Sequence, residues 1–106
     1  MNEGLLSALS MTRGAGKLRI GFDASKDAAE SGAPLVIVAS DVSERTRRSV
    51  RFFCEDCGTE LIETDITQDD VKKKFGWRFG VAAVTDINFA KLIRRKAIQQ
   101  GGLNDH

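Results

Sequence analysis

The segment LVIVAS at residues 35–40 constrains the fold of this chain more than any other part of the sequence. It is a continuous apolar run rich in β-branched residues. It follows a Gly-Ala-Pro break at residues 32–34 and ends at Asp41. A strand without apolar–polar alternation is typically covered on both faces. Helices must then lie on both sides of the sheet, so we expect a three-layer α/β/α sandwich with a central mixed four-stranded sheet.

The rest of the chain alternates between strand and helix patterns, which fits this architecture. Three further strands are predicted, at residues 18–21 (a short edge strand), 61–64 and 81–85. Helices are predicted at residues 23–31, 43–57, 67–75 and about 88–99. Ser43 and Thr67 are residue types that cap helix N-termini, and Gly58 is placed to end the helix that begins at Ser43.

Length and composition indicate one globular domain. The 106 residues include 42% hydrophobic and 29% charged residues, which is enough for a hydrophobic core that needs no disulfides or metal ions. We expect residues 1–100 to form the domain and residues 101–106 a flexible tail. No apolar run approaches the roughly 20 residues that span a bilayer. The start MNEGLLSALSMT lacks the cationic region of a signal peptide, so we expect a cytoplasmic protein without a membrane partner.

The net charge of +1 conceals an uneven distribution of charged side chains. Basic residues form three clusters: Arg45, Arg47, Arg48 and Arg51; Lys72, Lys73 and Lys74; Arg94, Arg95 and Lys96. Acidic residues collect elsewhere, at Asp65, Asp69 and Asp70. Such a chain can present a basic face to an anionic partner. The alternative is that each cluster is only a solvated helix face of mixed charge.

Two phosphate-binding motifs are excluded, one by two positions and the other by a single position. The segment GAGKL at residues 14–18 is similar to a phosphate loop. That loop needs a glycine where this chain has Met11, and Ser or Thr where it has Leu18. The dinucleotide-binding fingerprint needs its third glycine where Arg19 stands. We therefore do not expect an NTPase.

Cys54 and Cys57 form a CxxC motif that admits four interpretations. The first interpretation, a zinc site within the chain, lacks ligands because the single histidine is His106 in the tail. The second is a zinc site shared by two chains. A redox pair would need a helix N-terminus to lower the thiol pKa, whereas this pair ends a predicted helix, beside Glu55 and Asp56. The fourth interpretation, which we adopt, is two reduced cysteines with one facing the core.

Residue patterns for catalysis are missing. No histidine outside the tail, no nucleophile elbow and no metal-ligand spacing occurs. The carboxylate pairs at residues 55–56 and 69–70 are neighbours in sequence, and neighbours on a helix point in different directions. We expect no enzyme activity, no catalytic residue, no metal, no cofactor and no small-molecule substrate.

Several blocks of the sequence are similar to those of a known family. They are RGAGKL at residues 13–18, an Ile-Gly turn at residues 20–21, LVIVASDVSERT at residues 35–46, LIET at residues 61–64 and FGWRFGVAAVTDINFAKLI at residues 75–93. In these blocks the chain resembles the bacterial branch of the ribosomal L-seven-Ae/L-thirty-e superfamily, over roughly residues 5–98. The resemblance implies a first helix that ends in RGAGKL, an α/β/α fold and a non-enzymatic, ribosome-associated protein that binds kink-turn-like RNA in translation.

The chain departs from that family at the residues that read RNA. In the family, a glycine is followed by an Asn-Glu pair at the second and third places and by a lysine at the sixth. Counted from Gly21, these places hold Asp23, Ala24 and Asp27. Asp23 keeps an acceptor, Ala24 lacks the carboxylate that would read a guanine edge, and Asp27 puts a negative charge where the lysine meets the RNA backbone. We expect the neighbouring Lys26 to take over part of that contact.

The second recognition element of the family is the loop before the last strand. It corresponds here to residues 75–81, with Gly76 and Gly80 as hinges. We expect Trp77 and Phe79 to stack on an extruded base while Arg78 binds a phosphate. The alternative is that the two aromatic rings only cover the edge of the sheet.

We expect these elements to meet at one end of the sandwich. The turn at Gly21, the loop after Asp41 and the loop at Trp77 would converge there. Arg13, Lys17 and Arg19 would lie beside the N-terminus of the helix that follows Gly21, a position that favours phosphate. The candidate RNA-binding residues are Lys17, Arg19, Gly21, Phe22, Asp23, Lys26, Asp41, Trp77, Arg78, Phe79 and Gly80.

Two other functions are consistent with the sequence. A protein-interaction module on the same fold, with RNA affinity lost through Ala24 and Asp27, would expose an apolar patch or self-associate around Phe52 and Phe53. A thiol-based redox protein would need an exposed cysteine of lowered pKa at position 54 or 57.

Overall fold

The computed structural model describes residues 2–102, with side chains described to residue 98. Helices and strands follow one another as α1 (Glu3–Gly14), β1 (Leu18–Ile20), α2 (Phe22–Glu30), β2 (Leu35–Val38), α3 (Glu44–Cys57), β3 (Glu60–Glu63), α4 (Gln68–Phe75), β4 (Val81–Val84) and α5 (Ile87–Gly102). Every predicted helix and strand is present, with boundaries that differ by a few residues. Helix α5 includes residues 101–102 of the predicted tail, whereas residues 103–106 lie outside the described residues.

The four strands form one mixed sheet in the order β1-β4-β2-β3. Strands β2 and β3 are parallel, and β4 runs antiparallel to both β1 and β2. The fold class predicted from the sequence is therefore confirmed, including the edge position of β1. The start of β4 consequently lies beside the ends of β1 and β2, and this arrangement brings three loops together.

The sheet separates two hydrophobic cores, because alternate residues of its central strands point to opposite faces. Leu35 and Ile37 pack with α1, α4 and α5, whereas Val36 and Val38 pack with α2 and α3. All four of these side chains are at most 3% exposed. The continuous apolar run from which the sandwich was predicted is thus covered on both faces.

Helix ends follow the predicted caps. The Ser43 hydroxyl accepts a hydrogen bond from the Thr46 amide at 3.1 Å. Thr67 and Asp70 form a reciprocal capping box, with both hydrogen bonds at 3.0 Å. Gly58 ends α3 in the left-handed conformation, which glycine adopts without strain.

Among the helices of residues 2–102, none combines the length and apolarity that a bilayer-spanning helix requires.

Candidate nucleic-acid interface

Three loops meet at one end of the sheet and form a cleft of about 400 Å³. They are the turn between β1 and α2, the loop between β2 and α3, and the loop between α4 and β4. Each contributes to the lining, with Gly21 and Phe22 from the first, Val42 from the second, and Trp77 and Arg78 from the third. The convergence expected from the sequence is therefore present in the folded chain.

Gly21 lies in a turn that lines the cleft and is the N-cap residue of α2. Its φ of 105° lies in the region that favours glycine, and its amide donates to the Val81 carbonyl at 2.8 Å. No side chain caps the helix that follows. The amides of its first turn therefore keep their hydrogen-bonding capacity and their partial positive charge at the mouth of the cleft. Asp23, also in this first turn, is exposed.

The aromatic residues of the third loop differ in exposure. Trp77 is 42% exposed, whereas Phe79 is only 8% exposed and belongs to the core beneath α4. The Phe79 ring packs at 5.3 Å from Phe75 and at 5.4 Å from Trp77, measured between ring centroids. The prediction that both rings stack on a base is thus wrong for Phe79, because its ring is buried in the core. For Trp77 stacking stays a prediction, and its partly exposed ring is accessible to a base.

Arg13 is a member of this site that was missing from the candidate set. Its guanidinium carbon lies 5.7 Å from the centroid of the Trp77 ring and 5.9 Å from that of Phe75. Such cation–π contacts orient the ring, and within residues 2–102 no carboxylate pairs with this arginine. Its sequence neighbourhood placed it near the glycine turn, and only the packing of α1 against α4 brings it to Trp77.

Arg78 projects from the same loop and is bound only weakly. Its guanidinium lies 3.6 Å from the Asp69 carboxylate, and 57% of its side chain is exposed. Exposed ion pairs contribute roughly 0–1 kcal/mol. The arginine can therefore exchange this partner for a phosphate at little cost.

Gly80 in the cleft wall and Asp41 next to it have structural roles. A Cβ on Gly80 would lie 2.6 Å from Val42 Cγ1, so the glycine allows the loop after β2 to pack closely on β4. The backbone of Gly80 does not have a positive φ, whereas that of Gly76, the other expected hinge, does. Asp41 accepts a hydrogen bond from the Gln68 amide at 3.0 Å and so stabilises the start of α4. Its carboxylate is turned towards α4 while the residue is exposed, so a direct RNA contact stays a prediction.

Lys17 and Arg19 lie away from the cleft, which corrects the prediction for the basic edge. The Lys17 carbonyl accepts a hydrogen bond from the Thr85 amide at 2.9 Å, beyond the opposite end of β4. At about 3.3 Å per strand residue, Lys17 is on the order of 13 Å from Gly21. The Arg19 guanidinium donates to the Gly16 carbonyl at 3.1 Å and lines a separate depression of about 400 Å³ beside α2. A sequence shows that residues are near in the chain, but not that an extended strand separates them.

Helix α2 presents its charged residues on two different sides. Ala24 and Asp27 line the depression that also holds Arg19, whereas Lys26 lines a groove between α2 and α3. Adjacent helical residues are rotated by about 100°. Lys26 therefore does not take the place of a lysine at position 27, and that expected substitution is corrected.

The arginine cluster of α3 is divided between internal pairing and exposed positions. Arg47 and Arg51 hold the Glu63 carboxylate of β3 at 3.0 and 2.9 Å. These hydrogen bonds, that of Arg51 foremost, lower the pKa of Glu63 below its ordinary value of 4.5. Arg45 and Arg48 have no ion pair in the described part of the chain. Half of the cluster is therefore used within the fold, and a contact of Arg45 and Arg48 with an anionic partner stays a prediction.

The CxxC motif lies in the last turn of α3. Cys54 is buried and Cys57 half-buried, and both are free thiols. Burial, and secondarily the neighbouring Cys57, raises the pKa of Cys54 to about 11. The cause is thus mainly burial rather than the adjacent carboxylates. A raised pKa and a buried sulfur are opposite to what a redox thiol requires. Within residues 2–102, His, Cys, Asp and Glu side chains form no group of three that could hold a metal ion.

Solved structures share this fold at low sequence identity. No protein-family model and no curated protein matches the sequence. A protein of unknown function from Bacillus halodurans matches with a TM-score of 0.80 and 21% identity, over 88% of this chain and 95% of its own. A 15.5 kD RNA-binding protein from Giardia lamblia matches with a TM-score of 0.69 and 17% identity, over 94% of this chain and 87% of its own. At these identities the likeness establishes the fold, which this chain shares with an RNA-binding protein.

Proposed function

We propose that this chain is a non-enzymatic, cytoplasmic RNA-binding protein of the ribosomal L-seven-Ae/L-thirty-e superfamily, which binds structured, kink-turn-like RNA and associates with the ribosome. One observation carries the proposal. The two segments that the resemblance assigns to RNA contact, the Gly21 turn and the Trp77 loop, line one cleft, which combines an uncapped helix start with an exposed tryptophan and an exchangeable arginine. The fold shared with an RNA-binding protein from Giardia lamblia supports it.

Each part of the cleft has a role that follows from its chemistry. The absence of a Cβ at Gly21 lets the RNA backbone approach the first amides of α2, which favour a phosphate oxygen. Trp77, held by Arg13, stacks on an unpaired base. Arg78 leaves Asp69 to neutralise the phosphate of that nucleotide.

Base reading along α2 differs from that of the superfamily. Ala24 offers no hydrogen bond to a guanine edge, and Asp27 faces the depression beside Arg19. Recognition in this chain therefore depends on shape, stacking and phosphate contacts at the cleft more than on hydrogen bonds from α2 to base edges.

The test is equilibrium binding of the purified protein to a kink-turn RNA and to an unrelated hairpin, each at two salt concentrations. We expect the kink-turn to bind more tightly. Trp77→Ala should weaken this binding by about 1–3 kcal/mol, because base–aromatic stacking contributes that much per base. Ile87→Ala is the matched control, since Ile87 is 51% exposed at the far end of β4 and should leave binding unchanged.

Equal binding of both RNAs with a steep salt dependence would reduce the function to general RNA binding, because backbone contacts alone are insensitive to shape. Failure to bind either RNA would contradict the proposal and favour the protein-interaction module. An unchanged affinity of Trp77→Ala would remove the tryptophan from the site.

A further inference from the structure

A second surface lies next to the cleft, in a groove of about 330 Å³ between α2 and α3. Phe53, only 4% exposed, forms its floor, and the Phe22 ring meets it edge-on at 5.5 Å. Phe52 stands at the rim with 72% of its surface exposed, the largest exposure of any large apolar residue in the described part of the chain. Of the two phenylalanines around which a protein-interaction module would self-associate, only Phe52 is thus exposed, whereas Phe53 belongs to the core.

The groove carries positive charge from both of its helices. Lys26 of α2 and Arg48 of α3 line it, together with Ser49. No carboxylate is among the lining residues, and within residues 2–102 no ion pair engages either cation. A purely apolar protein partner would bury two unpaired cations here, which is costly. A polyanion with stackable bases supplies a partner for both kinds of side chain.

Phe22 connects this groove to the cleft, because it lines both. The residue is 36% exposed at the first position of α2. A chain that leaves the cleft past Phe22 therefore reaches Phe52 without crossing an unrelated surface. Aromatic side chains in sequence along a basic track are the general arrangement for a single strand of nucleic acid.

From these contacts we propose that the α2–α3 groove binds an unpaired strand of the same RNA, with a base stacked on Phe52 and phosphates held by Lys26 and Arg48. This inference rests on the proposed function and extends it: the RNA partner has a single-stranded segment next to its folded part.

The experiment compares a blunt-ended kink-turn RNA with the same RNA extended at either end by about six uridines, a length within the range that one such surface covers. The extended RNA should bind about tenfold more tightly to the unmodified protein, a gain typical of one stacked base. Phe52→Ala should abolish that gain and leave the blunt RNA unaffected. Met11→Ala is the control, since Met11 is 60% exposed on α1, in the opposite layer of the sandwich.

The cations are tested by the salt dependence of binding. Lys26→Ala and Arg48→Ala should each lower the salt slope of the extended RNA by about 0.7, the contribution of one phosphate contact on a single strand. Arg95→Ala, an exposed arginine of α5, should leave it unchanged.

Three results would overturn the inference. Equal binding of the blunt and extended RNAs would show that the groove binds no RNA strand, while the proposed function would stand. If Phe52→Ala keeps the full gain from the extended RNA but loses self-association, the groove is a protein-binding surface. If neither RNA binds, the proposed function fails and the inference fails with it.

Discussion

Gly80 shows how a single residue sets the width of the cleft. A Cβ at this position would lie 2.6 Å from Val42 Cγ1 and 3.3 Å from the Gln68 side chain. Val42 is β-branched and half-buried, so it has few other rotamers to adopt. The loop after β2 can therefore lie against β4 only because residue 80 lacks a side chain.

We predict that Gly80→Ala destabilises the protein by about 1–3 kcal/mol, the usual cost of overpacking. The measurement is urea denaturation followed by circular dichroism. Gly14→Ala is the matched control, because a Cβ at Gly14 meets nothing within 4 Å and the residue has no positive φ. Equal midpoints for the two variants would show that the Val42 loop moves freely.

At the scale of elements, Glu63 connects the edge strand β3 to α3. Arg47 and Arg51, one turn apart on α3, both hold its carboxylate, and Arg47 also donates to the Ser40 carbonyl at 3.0 Å. The sequence showed an arginine cluster and a separate glutamate. Only the parallel pairing of β3 with β2 brings them together, so the structural use of these arginines was not predictable.

We predict that Glu63→Gln lowers stability at pH 7 by less than about 1 kcal/mol, as expected for a partly exposed pair. The folded pKa of this carboxyl is depressed. Its contribution is therefore present above the ordinary value of 4.5 and lost as the pH falls below it. Urea denaturation at pH 7 and at about pH 3 measures the difference.

The free energies of unfolding of Glu63→Gln and of the unmodified protein should differ at neutral pH and converge in acid. Glu30→Gln, an exposed residue at the end of α2, should be close to neutral at both values. A gap between Glu63→Gln and the unmodified protein that persists in acid would assign the effect to lost packing instead of charge.

At the scale of the whole molecule, the reactivity of Cys54 measures how firmly the α2–α3 layer packs against the sheet. The residue is 2% exposed and packs in the same core as Val36 and Val50. Its pKa, raised by burial to about 11, keeps the thiol neutral at pH 7. Because the thiol of the unfolded chain ionises first, the free energy of unfolding is highest below the ordinary pKa of 9.0 and falls as the pH rises towards 11.

We predict that Cys54 reacts with a thiol reagent only when this layer opens. In a Cys57→Ala variant, labelling at pH 7 should be slow and should accelerate with urea in parallel with global unfolding. The converse variant, Cys54→Ala, leaves the half-buried Cys57 as a comparison that should react faster. Native labelling of Cys54 at the rate of a free thiol would contradict the packing of α3.

The elements and their order were predictable because they depend on local chemistry. The buried run at residues 35–40, the caps Ser43 and Thr67, and the left-handed Gly58 each specify a structure through their own side chain or backbone. The meeting of the Gly21 turn with the Trp77 loop was predictable only through the resemblance to a family of that topology. The outward orientation of Trp77 and the burial of Phe79 were not, because the sequence of the loop is aromatic at both positions.

The sequence by itself determined the layers of this protein, since apolar periodicity depends only on the order of residues along the chain. The tertiary structure alone decided which candidates share a site. An extended strand carries Lys17 to the far end of the sheet, and one residue of helical rotation turns Lys26 into a different groove from Asp27. Arg13 reaches Trp77 only because α1 packs on α4. These placements depend on how each element is oriented against its neighbours, and that orientation is set by packing across the whole chain.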